Sequence, residues 1–178
     1  MEEDVKKTNI FKKGAVPLML VAVMLVVAFS VQGANNRDAF RTDGSVFDLV
    51  ATENFDLDEL FYHDLPVILT FGAAWCNPCQ ELKAALERVN EDIRGRAIMK
   101  YLDVEEFYDL VSEFPIHVVP TIFFYNGDGS PFSPENDFPI VFQNYSLRST
   151  GEHALTAHEG YLSAETILLI LESMGIDL

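Results

Sequence analysis

The sequence predicts an α/β domain in which helices cover both faces of a central sheet. From residue 45 onward, segments of strand character alternate with segments of helix character, a pattern typical of a layered α/β fold. The apolar run VILTFGAA has the length of a strand and follows a proline, as a buried central strand does. The next segment, CQELKAALERVNEDIRG, repeats apolar residues with the period of an amphipathic helix that ends at Gly95.

The other elements are predicted in chain order around this centre. Residues 45–52 alternate well enough for a short strand, and TENFDLDELFYHD predicts a helix that Thr52 or Asn54 can cap. AIMKYLDV predicts a strand, EEFYDLVSEF predicts a short helix, and TIFFYNGDG predicts a strand that enters a hairpin turn. SAETILLILESMG predicts a closing helix with Ser163 as its N-cap and Gly175 as its C-cap.

The first 44 residues differ in character from the rest. Four lysines precede an apolar run of about 17 residues from Ala15 to Val31, which is typical of an export signal. That length is also the lower limit for a membrane span. Residues 1–33 are therefore predicted to be a signal peptide or a membrane anchor, and residues 34–44 a linker. Because the lysines favour a cytoplasmic N-terminus, the domain at residues 45–178 is expected outside the cytoplasmic membrane.

Charge and histidine placement exclude some classes of function. The formal net charge of −16 argues against a nucleic-acid partner, because phosphates require clustered Lys and Arg. The four histidines are scattered, with no spacing suited to a metal, whereas a structural zinc site needs four ligands. No metal and no cofactor are predicted.

The two cysteines of the chain, Cys76 and Cys79, lie three residues apart. As a structural disulfide they would close a very short loop and contribute only about 1–2 kcal/mol. A reactive pair fits better, because Cys76 lies at or beside the N-cap of the predicted helix. Unpaired amides and the helix dipole there favour a thiolate, which lowers the pKa of a thiol from its usual value of about 8.5. Cys79 returns to the same face, so Cys76 can attack a disulfide and Cys79 can resolve the mixed disulfide.

The motif WCNPC resembles the Trp-Cys-Gly-Pro-Cys site of the thioredoxin superfamily, with Asn77 in place of glycine. TENFD, PVILTF and IHVVPTIFFYNGDG also match stretches of ordinary thioredoxins, so that the resemblance covers about residues 45–130 and 158–175. It implies a thioredoxin fold with a mixed sheet and an insert, at about residues 130–156, before the last strand. The insert itself could form an added hairpin, and either selects a partner or is a surface elaboration without a specific role.

The resemblance also implies roles for residues around the cysteines. Val119 and Pro120 would form a cis peptide that faces the dithiol, where an extended substrate can pair with the Val119 backbone. Trp75 would form part of the substrate surface, and Asn77 and Pro78 would support the active-site turn. From the residues alone, an ordinary strand-entry proline at position 120 and a core aromatic at position 75 remain alternative interpretations.

Besides Asn77, three positions depart from the family pattern. Thr70 replaces a buried carboxylate that is taken as the proton acceptor of the second cysteine. The partner lysine of that carboxylate falls on Tyr101, and Lys100 would point to the other face of the strand. We therefore expect the usual proton relay to be absent and Cys79 to lose its proton more slowly. Gly72 replaces a tryptophan, which predicts a more open site.

Together these features predict an extracytoplasmic thiol–disulfide oxidoreductase that acts on protein disulfides or thiols. The motif favours a reductase, and a membrane-proximal reductase needs electrons from a transmembrane donor. A disulfide oxidase or isomerase shares every motif and remains an alternative. A redox-inert binding module that uses the same fold for protein contact is a third possibility.

Overall fold

Five strands of the described residues form one mixed sheet. The computed structural model describes residues 45–52, 55–134 and 138–178. The strands, in chain order, are β1 (Val67–Gly72), β2 (Ile98–Asp103), β3 (Thr121–Tyr125), β4 (Gln143–Ser146) and β5 (His153–Glu159). Their order in the sheet is β2-β1-β3-β5-β4. Only the β1–β2 pair is parallel among these strands, and the other neighbours are antiparallel.

Helices lie on both faces of this sheet, as the sequence predicted. Within the part of the chain that the structure describes, the α-helices are α1 (Leu57–Leu60), α2 (Asn77–Ile93), α3 (Tyr108–Val111) and α4 (Ala164–Ser173). Apolar residues of α2 and α4 pack in one core cluster with alternate residues of the strands. Residues of α1 and α3 pack in a second cluster with the opposite face of the strands. The α/β architecture and its layers are therefore confirmed.

Strand β1 is central because every one of its residues is apolar or small and all six are buried. It pairs with β2 on one side and with β3 on the other. The amphipathic helix α2 follows after four residues and buries its apolar stripe, which includes Leu82, Leu86 and Val89. This arrangement brings the end of β1 and the start of α2 to one edge of the sheet.

Two predictions for the first described residues are wrong. The strand expected at residues 45–52 is reduced to a single bridge between Val50 and β2, because the Asp48 N–H closes a turn on the Ser45 carbonyl at 2.9 Å. Helix α1 is capped by Asp56, whose carboxylate accepts from the Asp58 N–H at 2.9 Å, and not by Thr52. The alternative cap, residue 54, lies outside the described residues.

The predicted hairpin of the insert forms, but with different boundaries. β4 pairs with β5, and β5 already begins at His153, inside the segment 130–156 that the sequence assigned to the insert. Phe138, Ile140 and Phe142 precede β4 and pack against the core between the sheet and helices α2 and α4. Part of the insert is therefore core, and the last strand is longer than expected.

The segments predicted as a signal peptide or anchor (1–33) and as a linker (34–44) lie outside the described residues. No helix within 45–52, 55–134 and 138–178 combines the length and the apolar character that a membrane crossing requires.

Candidate functional site

The two cysteines lie where β1 gives way to α2. Cys76 is the N-cap residue of α2, and Cys79 lies in the first turn of that helix. Their sulfurs are bonded at 2.08 Å, with the Cα atoms 5.2 Å apart. The structure thus shows the oxidised form of the pair. It confirms that the three-residue spacing places both sulfurs on one face of the helix start.

The start of α2 provides the electrostatic environment that a thiolate needs. The Cys79 N–H donates to Cys76 Sγ at 3.2 Å, as a serine oxygen would accept at an ordinary N-cap. The first turn of α2 carries no acidic residue that would oppose a negative charge. Cys76 retains 7% exposure whereas Cys79 has 0%, so Cys76 is the sulfur that a partner can reach.

Val119 lies opposite the disulfide. Its carbonyl oxygen is 3.6 Å from Cys76 Sγ, and the Val119–Pro120 peptide bond is cis, as the resemblance implied. The Pro120 carbonyl accepts from the Gly160 N–H at 2.9 Å, which ties this turn to the end of β5. The structure therefore brings the predicted substrate-binding backbone next to Cys76 Sγ.

The remaining predicted residues on the surface of this site are exposed. Trp75 is 66% exposed, so the interpretation of this residue as a core aromatic is wrong. Asn77 and Pro78 occupy the first two positions of α2 and are also exposed. Their roles in binding and support stay predictions.

Thr70 and Tyr101 are direct neighbours in the β1–β2 register. The hydroxyl oxygens of both are buried and have no hydrogen-bond partner among the described residues. Burial, and then the negative charge of Asp103, raise the pKa of Tyr101 to about 12. Lys100 points to the opposite face, where its Nζ donates to the Asp48 carbonyl at 2.6 Å, and burial lowers its pKa. No described side chain reproduces the carboxylate–lysine pair that the family pattern contains.

The openness of the site at Gly72 stays a prediction, but Tyr101 fills the space directly beside this glycine. A Cβ at this glycine would collide with the Tyr101 hydroxyl and would lie 2.6 Å from Tyr101 Cζ. The tyrosine ring therefore occupies the space that a side chain at position 72 would need. Because Gly72 has no side chain, the ring of Tyr101 on the neighbouring strand can occupy this space. This contact was not predicted.

Sequence reasoning also missed Asp103, the last residue of β2. Its Oδ2 accepts from the Ala74 N–H at 3.0 Å and its Oδ1 from the Glu105 N–H at 2.9 Å, so it fastens the start of the active-site turn. On the other side of the turn, Gln80 Nε2 donates to the Ala73 carbonyl at 3.0 Å. A signal did exist, because the carboxyl ends of parallel neighbouring strands share one edge and AIMKYLDV carries an aspartate as its last residue but one.

Comparison with known proteins decides the family. The thioredoxin family model matches residues 46–137, more than half of the chain. The chain belongs to the thioredoxin family. It is 34% identical over 90 residues to the "Probable thioredoxin-2" of Caenorhabditis elegans, a match that spans 50% of this chain and 61% of that relative. To the thioredoxin of Rickettsia bellii it is 30% identical over 80 residues, 44% of this chain and 75% of that protein.

A solved structure agrees on the fold. Thioredoxin f from spinach chloroplast, in its short form, superposes with a TM-score of 0.50 and 18% identity, covering 72% of this chain and 93% of the other. The thioredoxin fold implied by the resemblance is thus confirmed. The protein is a thioredoxin-like oxidoreductase whose Cys76–Cys79 pair lies at disulfide distance.

Proposed function

We propose that this thioredoxin-like oxidoreductase is a protein-disulfide reductase that works outside the cytoplasmic membrane. The observation that carries the proposal is the position of Cys76, whose sulfur accepts the Cys79 N–H at 3.2 Å and faces the Val119 backbone at 3.6 Å. The amide stabilises the thiolate, and the Val119 backbone offers hydrogen bonds to an extended substrate.

The reaction is two successive thiol–disulfide exchanges. The Cys76 thiolate attacks one sulfur of a substrate disulfide, forms a mixed disulfide and releases the other substrate sulfur as a thiolate. The Cys79 thiolate then attacks Cys76 Sγ, forms the Cys76–Cys79 disulfide and releases the second substrate thiolate. Two electrons pass from the protein dithiol to the substrate, and the two released thiolates take up protons from water.

The direction and the location rest on the sequence. The WCNPC motif favours reduction, which predicts a potential near the −270 mV typical of thioredoxin and far from the roughly −120 mV of a strong oxidant. Four lysines before the apolar run at 15–31 support export of the domain. An exported reductase requires a membrane-spanning dithiol as electron donor, and the N-terminal segment, if uncleaved, holds the domain near such a donor.

Turnover of insulin with a chemical reductant tests the activity. The full chain is expected to accelerate insulin reduction, and Cys76→Ser and Cys79→Ser variants are expected to fall to the rate of the reductant alone. Cys79→Ala is expected to accumulate a mixed disulfide through Cys76, which mass spectrometry detects. Equal rates for the wild type and both serine variants would contradict catalysis and favour a redox-inert binding module.

A further inference from the structure

The start of β4, inside the insert, lies at the end of the sheet that carries the cysteines. Phe71 at the end of β1 pairs with Thr121, the first residue of β3, and Thr121 pairs with Glu159 at the end of β5. On the other side of β5, Ala157 pairs with Gln143, the first residue of β4. Since each of these pairs is antiparallel, the ends of β1 and β5 lie beside the starts of β3 and β4. The chain that enters β4 therefore lies at the same end of the sheet as the active-site turn.

A series of contacts connects the insert with the turn that contains the cis Val119–Pro120 peptide. The Pro120 carbonyl accepts from the Gly160 N–H at 2.9 Å. The ring of His158 lies beside Gly160, because a Cβ built on this glycine would be 3.9 Å from His158 Nε2. At the other ring nitrogen, His158 Nδ1 donates to the Val141 carbonyl at 3.0 Å, since a carbonyl can only accept. Val141 is thus linked to the turn whose backbone faces the disulfide.

The packing of the insert presents the side chain of Val141 to solvent at this position. Its neighbours Ile140 and Phe142 pack against the core, whereas Val141 is 77% exposed. Further exposed apolar side chains lie at the same end of the sheet, namely Trp75, Val118 and Tyr161. Exposed apolar residues that lie together mark interaction sites, whereas single ones need no explanation. Val141 thus adds a residue of the insert to the apolar side chains around the dithiol.

The distance between β3 and β4 sets the spacing in a substrate. β5 lies between these two strands. Neighbouring strands are about 4.8 Å apart, so the start of β4 is about 10 Å from the start of β3. An extended chain covers this distance in about three residues. A substrate cysteine that meets Cys76 beside Val119 therefore brings the residue about three positions away to Val141.

We propose that the insert extends the substrate-binding surface, with Val141 in contact with an apolar side chain about three residues from the substrate cysteine. The proposal rests on the proposed disulfide reduction, because a substrate lies on this surface only while its cysteine meets Cys76. The occupant is an extended polypeptide segment, since the Val119 backbone offers hydrogen bonds to such a segment and Val141 continues the surface. Contact between the two apolar side chains removes their area from water, which stabilises the complex. The insert thus selects substrates for a reaction that the dithiol performs.

Reduction of two matched peptide disulfides by the full chain tests the extended surface. Each substrate is a disulfide between two copies of one peptide, in which the third residue on both sides of the cysteine is either Leu or Asn. The direction of binding therefore does not matter, and the net charge of −16 acts equally on two peptides of equal charge. The Leu peptide is expected to show a kcat/KM about threefold to tenfold above that of the Asn peptide, as partial burial of a leucine side chain provides.

Variants assign this preference to the insert. Val141→Ser is expected to abolish or narrow the preference for Leu, and it is expected to fold like the wild type because the side chain is exposed. Leu147→Ser is the matched control, since Leu147 is an exposed aliphatic residue that follows β4 at the opposite end of the sheet. This control is expected to keep the full preference.

The outcomes separate the extended surface from the reductase function. Equal kcat/KM values for the two peptides, a preference for Leu that survives Val141→Ser, or an equal loss of preference in Leu147→Ser would overturn the extended surface. Failure of the full chain to reduce either peptide would instead contradict the reductase function, and the extended surface with it.

Discussion

One hydrogen bond at Cys76 connects the geometry of the helix start with the proposed chemistry. A residue in the N-cap position presents its side chain to the free amides of the first helical turn, and here the acceptor is sulfur, 3.2 Å from the Cys79 nitrogen. In the reduced protein the same geometry places the N–H against a thiolate. The sulfur that receives this N–H is also the more exposed of the two. Reactivity and access therefore favour Cys76 as the attacking residue.

The buried hydroxyl of Tyr101 predicts how the free energy of unfolding depends on pH. Its pKa is raised from 10.0 to about 12 in the folded protein, so the neutral phenol stabilises the fold fully below pH 10. This contribution is lost as the pH rises from 10 to about 12, because the unfolded chain releases the proton first. The free energy of unfolding of the wild type is therefore expected to fall more steeply than that of Tyr101→Phe across this window.

Denaturant unfolding of the two proteins at several pH values measures the difference. The other tyrosines titrate in both proteins and cancel in the comparison. If the free energy of unfolding fell equally with pH in the wild type and in Tyr101→Phe between pH 10 and 12, the burial of this hydroxyl would be contradicted.

The sequence predicted the placement of the two cysteines better than that of the residues around them. Cys76 and Cys79 were found because spacing and helix position are local properties of the chain. The contact between Gly72 and Tyr101 was missed because it joins two strands. A glycine in the sequence does not indicate which distant residue occupies the space beside it. Asp103 was missed for the same reason, since its bond to Ala74 joins residues 29 positions apart.

At the scale of elements, the insert is anchored by aromatic rings. Phe142 contacts Phe124 of β3, Phe132 and Phe138, with ring centres 5.4 to 6.0 Å apart. Edge-to-face pairs of this kind contribute about 0.5–1.5 kcal/mol each beyond the burial of their area. The segment before β4 is therefore part of the core, and the interpretation of the insert as only a surface elaboration is wrong for these residues.

Truncation of Phe142 tests this anchoring. Phe142→Ala is expected to lower the free energy of unfolding by about 2–3 kcal/mol, somewhat less than for a fully buried phenylalanine because the side chain is only half-buried. Val141→Ala is the control, since this neighbour is 77% exposed and its truncation is expected to cost less than about 0.5 kcal/mol. If denaturant unfolding showed a similar decrease in the free energy of unfolding for both variants, the insert would not be packed as described.

The helices and strands of the α/β pattern were predictable where their signal is local. β1, α2, β2 and α4 have strong apolar patterns and were predicted near their observed bounds. Residues 45–52 have the alternation of a strand, but a turn held by Ser45 and Asp48 uses the backbone groups that a strand would pair. The early start of β5 at His153 was not predicted. Its partner β4 lies in the insert, which the family resemblance does not cover.

At the scale of the whole molecule, the proposal predicts that residues 45–178 lie outside the cytoplasmic membrane. Alkaline phosphatase fused after Leu178 is expected to be active in a bacterial host, because the enzyme folds only after export. The same fusion without residues 1–33 is expected to be inactive, and a β-galactosidase fusion after Leu178 is expected to show the opposite pattern. Activity of the phosphatase fusion that does not depend on residues 1–33 would contradict the export function of this segment.

The central claim is that Cys76 is the reactive thiol of an exchanging pair. Brief alkylation of the reduced full chain with iodoacetamide at pH 7, followed by mass spectrometry of the two cysteines, tests it most directly. Cys76 is expected to be modified much faster than Cys79, because its thiolate accepts an amide hydrogen bond and because Cys76, unlike Cys79, is partly exposed. Equal modification of the two cysteines, or faster modification of Cys79, would contradict it.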